Sequence, residues 1–189
     1  PSRGMREALE NPSRIDQLFI DRVVSKPLKN LSVLSSEEGL SDAIQVHDDA
    51  LSTLLKELKE RFDVILFDLP RKLEPFHRGC MQQSDQVILV SELSLVSLRD
   101  GLRITDLMRD HLKLKPPVVV ANRVGFGKKI EMQVGDFEKG VNGKVQVKIP
   151  YVPEVYMPIS SDIPSVKKKG HAAVKPIVQL AEFLLPEWV

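Results

Sequence analysis

Asp63-Val64-Ile65-Leu66-Phe67-Asp68-Leu69-Pro70 sets a run of apolar side chains between two aspartates and closes on a proline. The run is too short for a buried helix. Its turn-forming ends and β-branched members predict a strand covered on both faces, as in a parallel sheet. Gln86-Val87-Ile88-Leu89-Val90 and Val118-Val119-Val120-Ala121-Asn122 have the same character, with Leu31-Ser32-Val33-Leu34 before them and Val145-Gln146-Val147-Lys148-Ile149 after. Helical periodicity separates these runs. Leu51, Leu54, Leu55 and Leu58 form one stripe within 48–61, and Leu98, Leu102, Ile104, Leu107, Met108 and Leu112 form another within 95–114. A third joins Val174, Ile177, Val178, Ala181, Leu184 and Leu185. Strand–helix alternation at this spacing predicts an α/β fold built on an open, mostly parallel sheet.

Composition narrows the function classes. A chain of 189 residues can bury one sizeable α/β core, and no repeat or linker divides it. A formal net charge of +1 offers no bulk attraction for nucleic acid, and no specific nucleic acid is expected as partner. Lys128-Lys129 and Lys167-Lys168-Lys169 are local clusters, read either as solvated loop ends or as contacts for phosphate, DNA backbone or anionic lipid. The lone Cys80 excludes an internal disulfide and a thiolate metal site, and reads as a helix-packing thiol. No apolar run approaches the roughly 20 residues that span a bilayer. The sequence opens at Pro1-Ser2-Arg3-Gly4 without an initiator Met and is expected to be a segment of a longer chain.

Ligands of parallel α/β sheets bind beyond the carboxyl ends of the strands, so those ends hold the candidate site. Asp68 ends an apolar strand where an acid of a P-loop NTPase would hold Mg²⁺; it can equally cap the next helix, with Pro70 starting a turn. Asn122, followed by Arg123, offers the paired donor and acceptor that suit an adenine edge, or serves as an ordinary turn residue. Pro150-Tyr151-Val152-Pro153 forms either a flat wall for a base or a stiff surface turn. The segment 63–70 is also similar to the phosphoacceptor strand of response-regulator receivers, with Ser91 as the receiver hydroxyl. That reading lacks an acidic pair after Leu31–Leu34 and a lysine after Val118–Asn122, and the chain is too long for one receiver.

Taken in order, these strand ends resemble the MinD/ParA superfamily of deviant-Walker ATPases. The elements that carry the resemblance are Asp68-Leu69-Pro70, Ser94-Leu95-Val96-Ser97-Leu98-Arg99-Asp100, Asn122-Arg123, and Ile149-Pro150 followed by a helix and a segment ending near Gly170. Arg6-Glu7-Ala8-Leu9-Glu10-Asn11-Pro12, Arg14-Ile15-Asp16, Leu31-Ser32-Val33-Leu34, and Phe62-Asp63-Val64 leading to Asp68-Leu69-Pro70-Arg71 look closest to the CpaE/TadZ branch, ATPase-like proteins of Flp (Tad) pilus assembly.

The resemblance implies a three-layer α/β/α, P-loop NTPase-like fold, with residues 1–189 forming a single partial domain that lacks its N-terminal P-loop strand and helix. It implies ATP and Mg²⁺ in the full-length protein and none bound to this segment. Asp68 would meet the Mg²⁺ through water, and Asn122, Arg123, Pro150, Tyr151, Val152 and Pro153 would frame the adenine. Leu69, Pro70 and Arg71 would form a switch loop. No catalytic residue is expected within the segment, and the full-length protein is expected to be at most a weak ATPase. The implied partners are a second copy and pilus assembly proteins, in a cytoplasmic, polar setting. A nucleotide-independent scaffold with a degenerate site is the competing class. MinD relatives attach to membranes through a C-terminal amphipathic helix, so the stripe 174–185 reads either as such a peripheral anchor or as a helix covering the sheet. Trp188 reads as a cap or a contact surface.

Overall fold

The computed structural model describes residues 4–35, 46–47, 49–71, 73–127, 130–153 and 172–186. They fall into two compact units, residues 1–83 and 84–189, each with its own core.

In the first unit, α1 (Gly4–Glu10), a 3₁₀ turn and α2 (Gln17–Val23) precede a hairpin of β1 (Ser25–Leu28) and β2 (Leu31–Val33). The helices α3 (Ala50–Lys59) and α4 (Pro75–Gln82) follow. Asp16 starts α2 by accepting the Phe19 N–H at 2.7 Å, which satisfies one of the donors a helix start leaves over. Ala8, Ile15, Phe19, Ile20, Val23, Leu54 and Leu58 form the core of this unit. The leucine stripe expected within 48–61 is the buried face of α3.

Two expectations for this unit require correction. The run Leu31–Leu34 does form a strand over Leu31–Val33, but it pairs antiparallel with β1 across a two-residue turn rather than joining the parallel sheet. Pro27 within β1 cannot donate to a ladder, which confines that strand to a short ribbon. Residues 63–70, expected as a strand buried on both faces, run extended but have no ladder partner among the described residues. From Val64 to Pro70 their burial alternates. Ile65, Phe67 and Leu69 are half-buried, with Ile65 packed on the unit's core, whereas Leu66 is 81% exposed. A strand needs a hydrogen-bonded neighbour as well as an apolar pattern, and only one face of this segment is covered.

The second unit carries the parallel sheet, in the order β3 (Ile88–Ser91), β4 (Val118–Val124), β5 (Val145–Pro150). Ile88 faces Val118 and Ser91 faces Ala121, while Val119 faces Val145. Val119, Val120 and Ala121 are consecutive and all buried, as only a strand covered on both faces can be. The apolar run of β4 is therefore read correctly. α5 (Leu95–Asp106) begins at Ser94, whose hydroxyl accepts the Ser97 N–H at 3.2 Å. The helical pattern expected to reach Leu114 changes at Leu107–His111 into a turn of π-helix. α6 (Val134–Val141) buries Phe137 and Val141 and ends at Asn142, whose left-handed backbone closes the helix. Helices α5 and α6 approach closely at Gly140, where an added Cβ would stand 2.4 Å from a Leu98 methyl.

α7 (Val174–Leu184) lies against β5 and leaves Ile177, Val178 and Phe183 exposed. No helix among the described residues is long and apolar enough to cross a membrane. The clusters Lys128-Lys129 and Lys167-Lys168-Lys169, the stretch ending at Gly170, and Trp188 lie outside the described residues.

Phe137 is fully buried with Leu93, Val119, Ala121 and Val141. Phe137→Ala should cost about 3–5 kcal/mol in urea unfolding of the second unit, the range for emptying an aromatic core position. A loss below about 1 kcal/mol would contradict this core.

Candidate functional site

Parallel pairing brings the carboxyl ends of β3, β4 and β5 to one edge of the second unit. Asn122 and Arg123 lie just before the end of β4, and Pro150 closes β5 with Tyr151 directly after it; Tyr151 N–H donates to the Val124 carbonyl at 2.9 Å and ties the two ends together. Asn122, Arg123, Pro150, Tyr151 and Val152 are half-buried, and Pro153 is exposed. These residues, singled out from sequence as base-framing, lie along one rim.

A bulge shapes that rim. From Ala121 to Val124, β4 advances one residue more than its partner stretch, Lys148 to Pro150 on β5. Arg123 sits within the bulge at φ +54, a left-handed conformation that costs a non-glycine residue about 1–2 kcal/mol. Local bonds hold it there. Arg123 N–H donates to Asn122 Oδ1 at 2.9 Å, and the Arg123 carbonyl accepts the Phe126 N–H at 3.1 Å. The Arg123 guanidinium reaches Glu92, just past β3, at 3.0 Å. This pair is well exposed, so it orients the arginine more than it stabilises the fold.

The turn after β4 is pinned by a carboxylate. Gly125 N–H lies 2.8 and 3.0 Å from the two Glu131 oxygens, and Gly127 N–H lies 3.1 Å from one of them. Gly125 at φ +93 adopts a conformation that glycine tolerates best. Between these glycines, Phe126 meets Tyr151 edge to face, with ring centroids 4.7 Å apart. Met132 N–H donates to the Leu93 carbonyl at 2.9 Å, joining this segment to the end of β3.

Asp68 belongs to the first unit. It is exposed on the extended segment, with Leu69 half-buried and Pro70 and Arg71 exposed beyond it. Among the described residues no group of three or more His, Cys, Asp or Glu gathers as metal ligands. A carboxylate such as Asp68 suits Mg²⁺, which takes one or two protein oxygens and keeps its waters. The rim of the second unit suits a planar base, with an amide at Asn122, a held guanidinium and an aromatic edge.

Glu92, Phe126 and Glu131 were not anticipated from sequence. Gly125-Phe126-Gly127 directly after an apolar strand was the available signal for a tight turn. Cys80 is fully buried, and burial pushes its thiol up to about 11, which agrees with a packing role.

No protein-family model matches the chain. The septum site-determining protein MinD of Bacillus subtilis is 28% identical over 102 residues, covering 54% of this chain and 38% of that protein. MinD of Synechocystis is 30% identical over 96 residues, covering 49% of this chain and 35% of that protein. The aligned stretch thus spans little more than a third of these relatives' own length. A ParA family ATPase from Chlorobium tepidum superposes with a TM-score of 0.82 at 18% identity, over 97% of this chain and 76% of that one. MinD complexed with Mg-ADP from Pyrococcus horikoshii gives 0.76 at 19% identity, over 95% and 72%. The fold is that of the MinD/ParA-type P-loop NTPases. Sequence similarity to MinD extends over about half of the chain.

Two outcomes check the site's geometry. Arg123→Gly should be more stable than Arg123→Ala by about 1 kcal/mol in denaturant, since both lose the ion pair and only glycine relieves the left-handed strain; equal stabilities would remove the strain argument. Cys80 in the native protein should react with iodoacetamide at pH 8 at least about a hundred-fold more slowly than in urea, from its suppressed ionisation alone. Comparable rates would contradict its burial.

Proposed function

We propose that this chain belongs to a nucleotide-controlled dimerisation and localisation switch, an ATPase-like component of Flp (Tad) pilus assembly of the CpaE/TadZ type. The observation that carries the nucleotide reading is the single rim formed by Asn122, Arg123, Pro150 and Tyr151 at the carboxyl ends of adjacent parallel strands. The pilus reading rests on the resemblance of residues 6–12, 14–16, 31–34, 62–64 and 68–71 to that branch. One structural neighbour is a MinD with Mg-ADP and another a MinC:MinD complex, so both nucleotide and protein partners fit this fold.

In the proposed arrangement Asn122 addresses the edge of the base, Pro150 to Pro153 form its wall, and Arg123 covers its outer side. If nucleotide binds, Asp68 would hold Mg²⁺ through water, and Leu69, Pro70 and Arg71 would serve as the switch loop. Bound MgATP supplies charge and contact surface that favour a face-to-face dimer, so nucleotide acts mainly by shifting an assembly equilibrium. A second copy and pilus assembly proteins are the proposed partners, with peripheral membrane association through them, in a cytoplasmic and polar setting. A nucleotide-independent scaffold is the second reading. It is favoured by the internal Glu92 partner of Arg123, which already satisfies the cationic group a nucleotide would use.

The full-length protein should show a melting temperature several degrees higher in millimolar MgATP, since ligand at 100 times its Kd adds about 2.7 kcal/mol. Light scattering should show a matching shift from monomer to dimer, and Asp68→Asn should abolish both changes. An unchanged melting temperature and unchanged mass would leave the scaffold as the surviving reading.

A further inference from the structure

The turn between β4 and α6 places an aromatic ring at the rim. Phe126 is 58% exposed, yet it is not loosely placed. Its two flanking glycines donate to the Glu131 carboxylate, and its edge-to-face contact with Tyr151 fixes the ring against the end of β5. A ring fixed in a pinned turn beside a second ring leaves an open face on which a planar ligand can stack. The neighbouring side chains point to a planar, heteroaromatic one. Asn122 supplies an amide, Tyr151 a second ring, and Arg123 a guanidinium oriented by Glu92. A base stacked on an aromatic face gains sequence-independent energy, because every base has a π-face.

We propose that Phe126 is a contact residue for the base of the nucleotide, and that Glu131 is the positioning residue that presets it through the Gly125 and Gly127 N–H groups. This rests on the nucleotide reading of the rim and names a contact that reading does not contain. Glu131 touches no ligand. Its carboxylate accepts three short contacts from two backbone donors, and without it the turn loses the internal acceptor that holds Phe126 in register with Tyr151. Arg123, by contrast, is held from the β3 side by Glu92, so Arg123 and the turn at 125–127 each have their own carboxylate partner.

Binding of MgADP and of magnesium pyrophosphate, which has no base, would be measured by calorimetry on the full-length protein. Phe126→Ala should weaken MgADP roughly five- to a hundred-fold while leaving pyrophosphate unchanged, and Phe126→Trp should restore MgADP binding. Glu131→Ala should weaken MgADP by a smaller factor with pyrophosphate again unchanged, and Glu131→Gln, which keeps one acceptor oxygen, should recover most of the loss. Melting temperatures of the ligand-free variants would show that each still folds. If both ligands bind and Phe126→Ala leaves MgADP affinity unchanged, the contact is refuted while the nucleotide reading stands. If neither ligand binds the unmodified protein, the nucleotide reading fails and this contact fails with it. Equal losses for both ligands would also overturn the proposal, because they would mark a general disturbance rather than a base contact.

Discussion

The hydrogen-bond ladder on both sides of β4 is the constraint from which the candidate site follows. Parallel strands cannot be joined by a tight turn, so helices α5 and α6 must carry the chain back between β3, β4 and β5. Every strand then ends at the same edge, and the residues that close each strand become neighbours although long stretches of sequence separate them. Asn122 and Tyr151 meet at one rim for this reason alone. Val119, Val120 and Ala121 make the arrangement stable, because their side chains alternate between faces and each face is covered. A polar residue at any of them would face an apolar layer from whichever side it points.

On that regular ladder the rim itself is irregular. The bulge at Arg123, the left-handed glycine at 125 and the pinned turn to Glu131 follow one another directly. Each departure is offset by a local polar bond: Asn122 to the Arg123 N–H, Glu92 to the guanidinium, Glu131 to two glycine amides. Strain placed where a strand ends, and held by short-range contacts, re-aims side chains without disturbing the ladder behind them. The core and the rim are thus governed by different interactions, apolar burial in one and oriented hydrogen bonds in the other.

This division explains what could be read from the sequence. Val118 to Asn122 announces a doubly covered strand because burial on both faces demands an unbroken apolar run, and α3 announces itself through Leu51, Leu54, Leu55 and Leu58. The positions of Asn122 and Pro150 at strand ends follow from the same logic. Residues 63–68 mislead for a physical reason: the apolar pattern reports which side chains tend to be buried, whereas a strand also requires a hydrogen-bonding neighbour, which no sequence window contains. The hairpin at Leu31–Val33 escaped notice because its partner, Ser25–Leu28, has no apolar alternation and carries a proline. Glu92, Phe126 and Glu131 were equally hidden, since their roles depend on groups that adopt position only after the bulge forms. Cys80 behaved as composition suggested, a small side chain buried on α4.

The extended stretch beside the first unit's core has one more consequence. Val64-Ile65-Leu66-Phe67 is short, uncharged and β-prone, and lies extended with Leu66 turned outward, which is the pattern that recruits a like strand from another molecule. Asp63 and Asp68 bracket it. In parallel, in-register stacking each aspartate would face its own copy, and the repulsion opposes growth of such a stack at neutral pH. The same two carboxylates thus act as gatekeepers that keep an unpaired apolar stretch from templating its own kind.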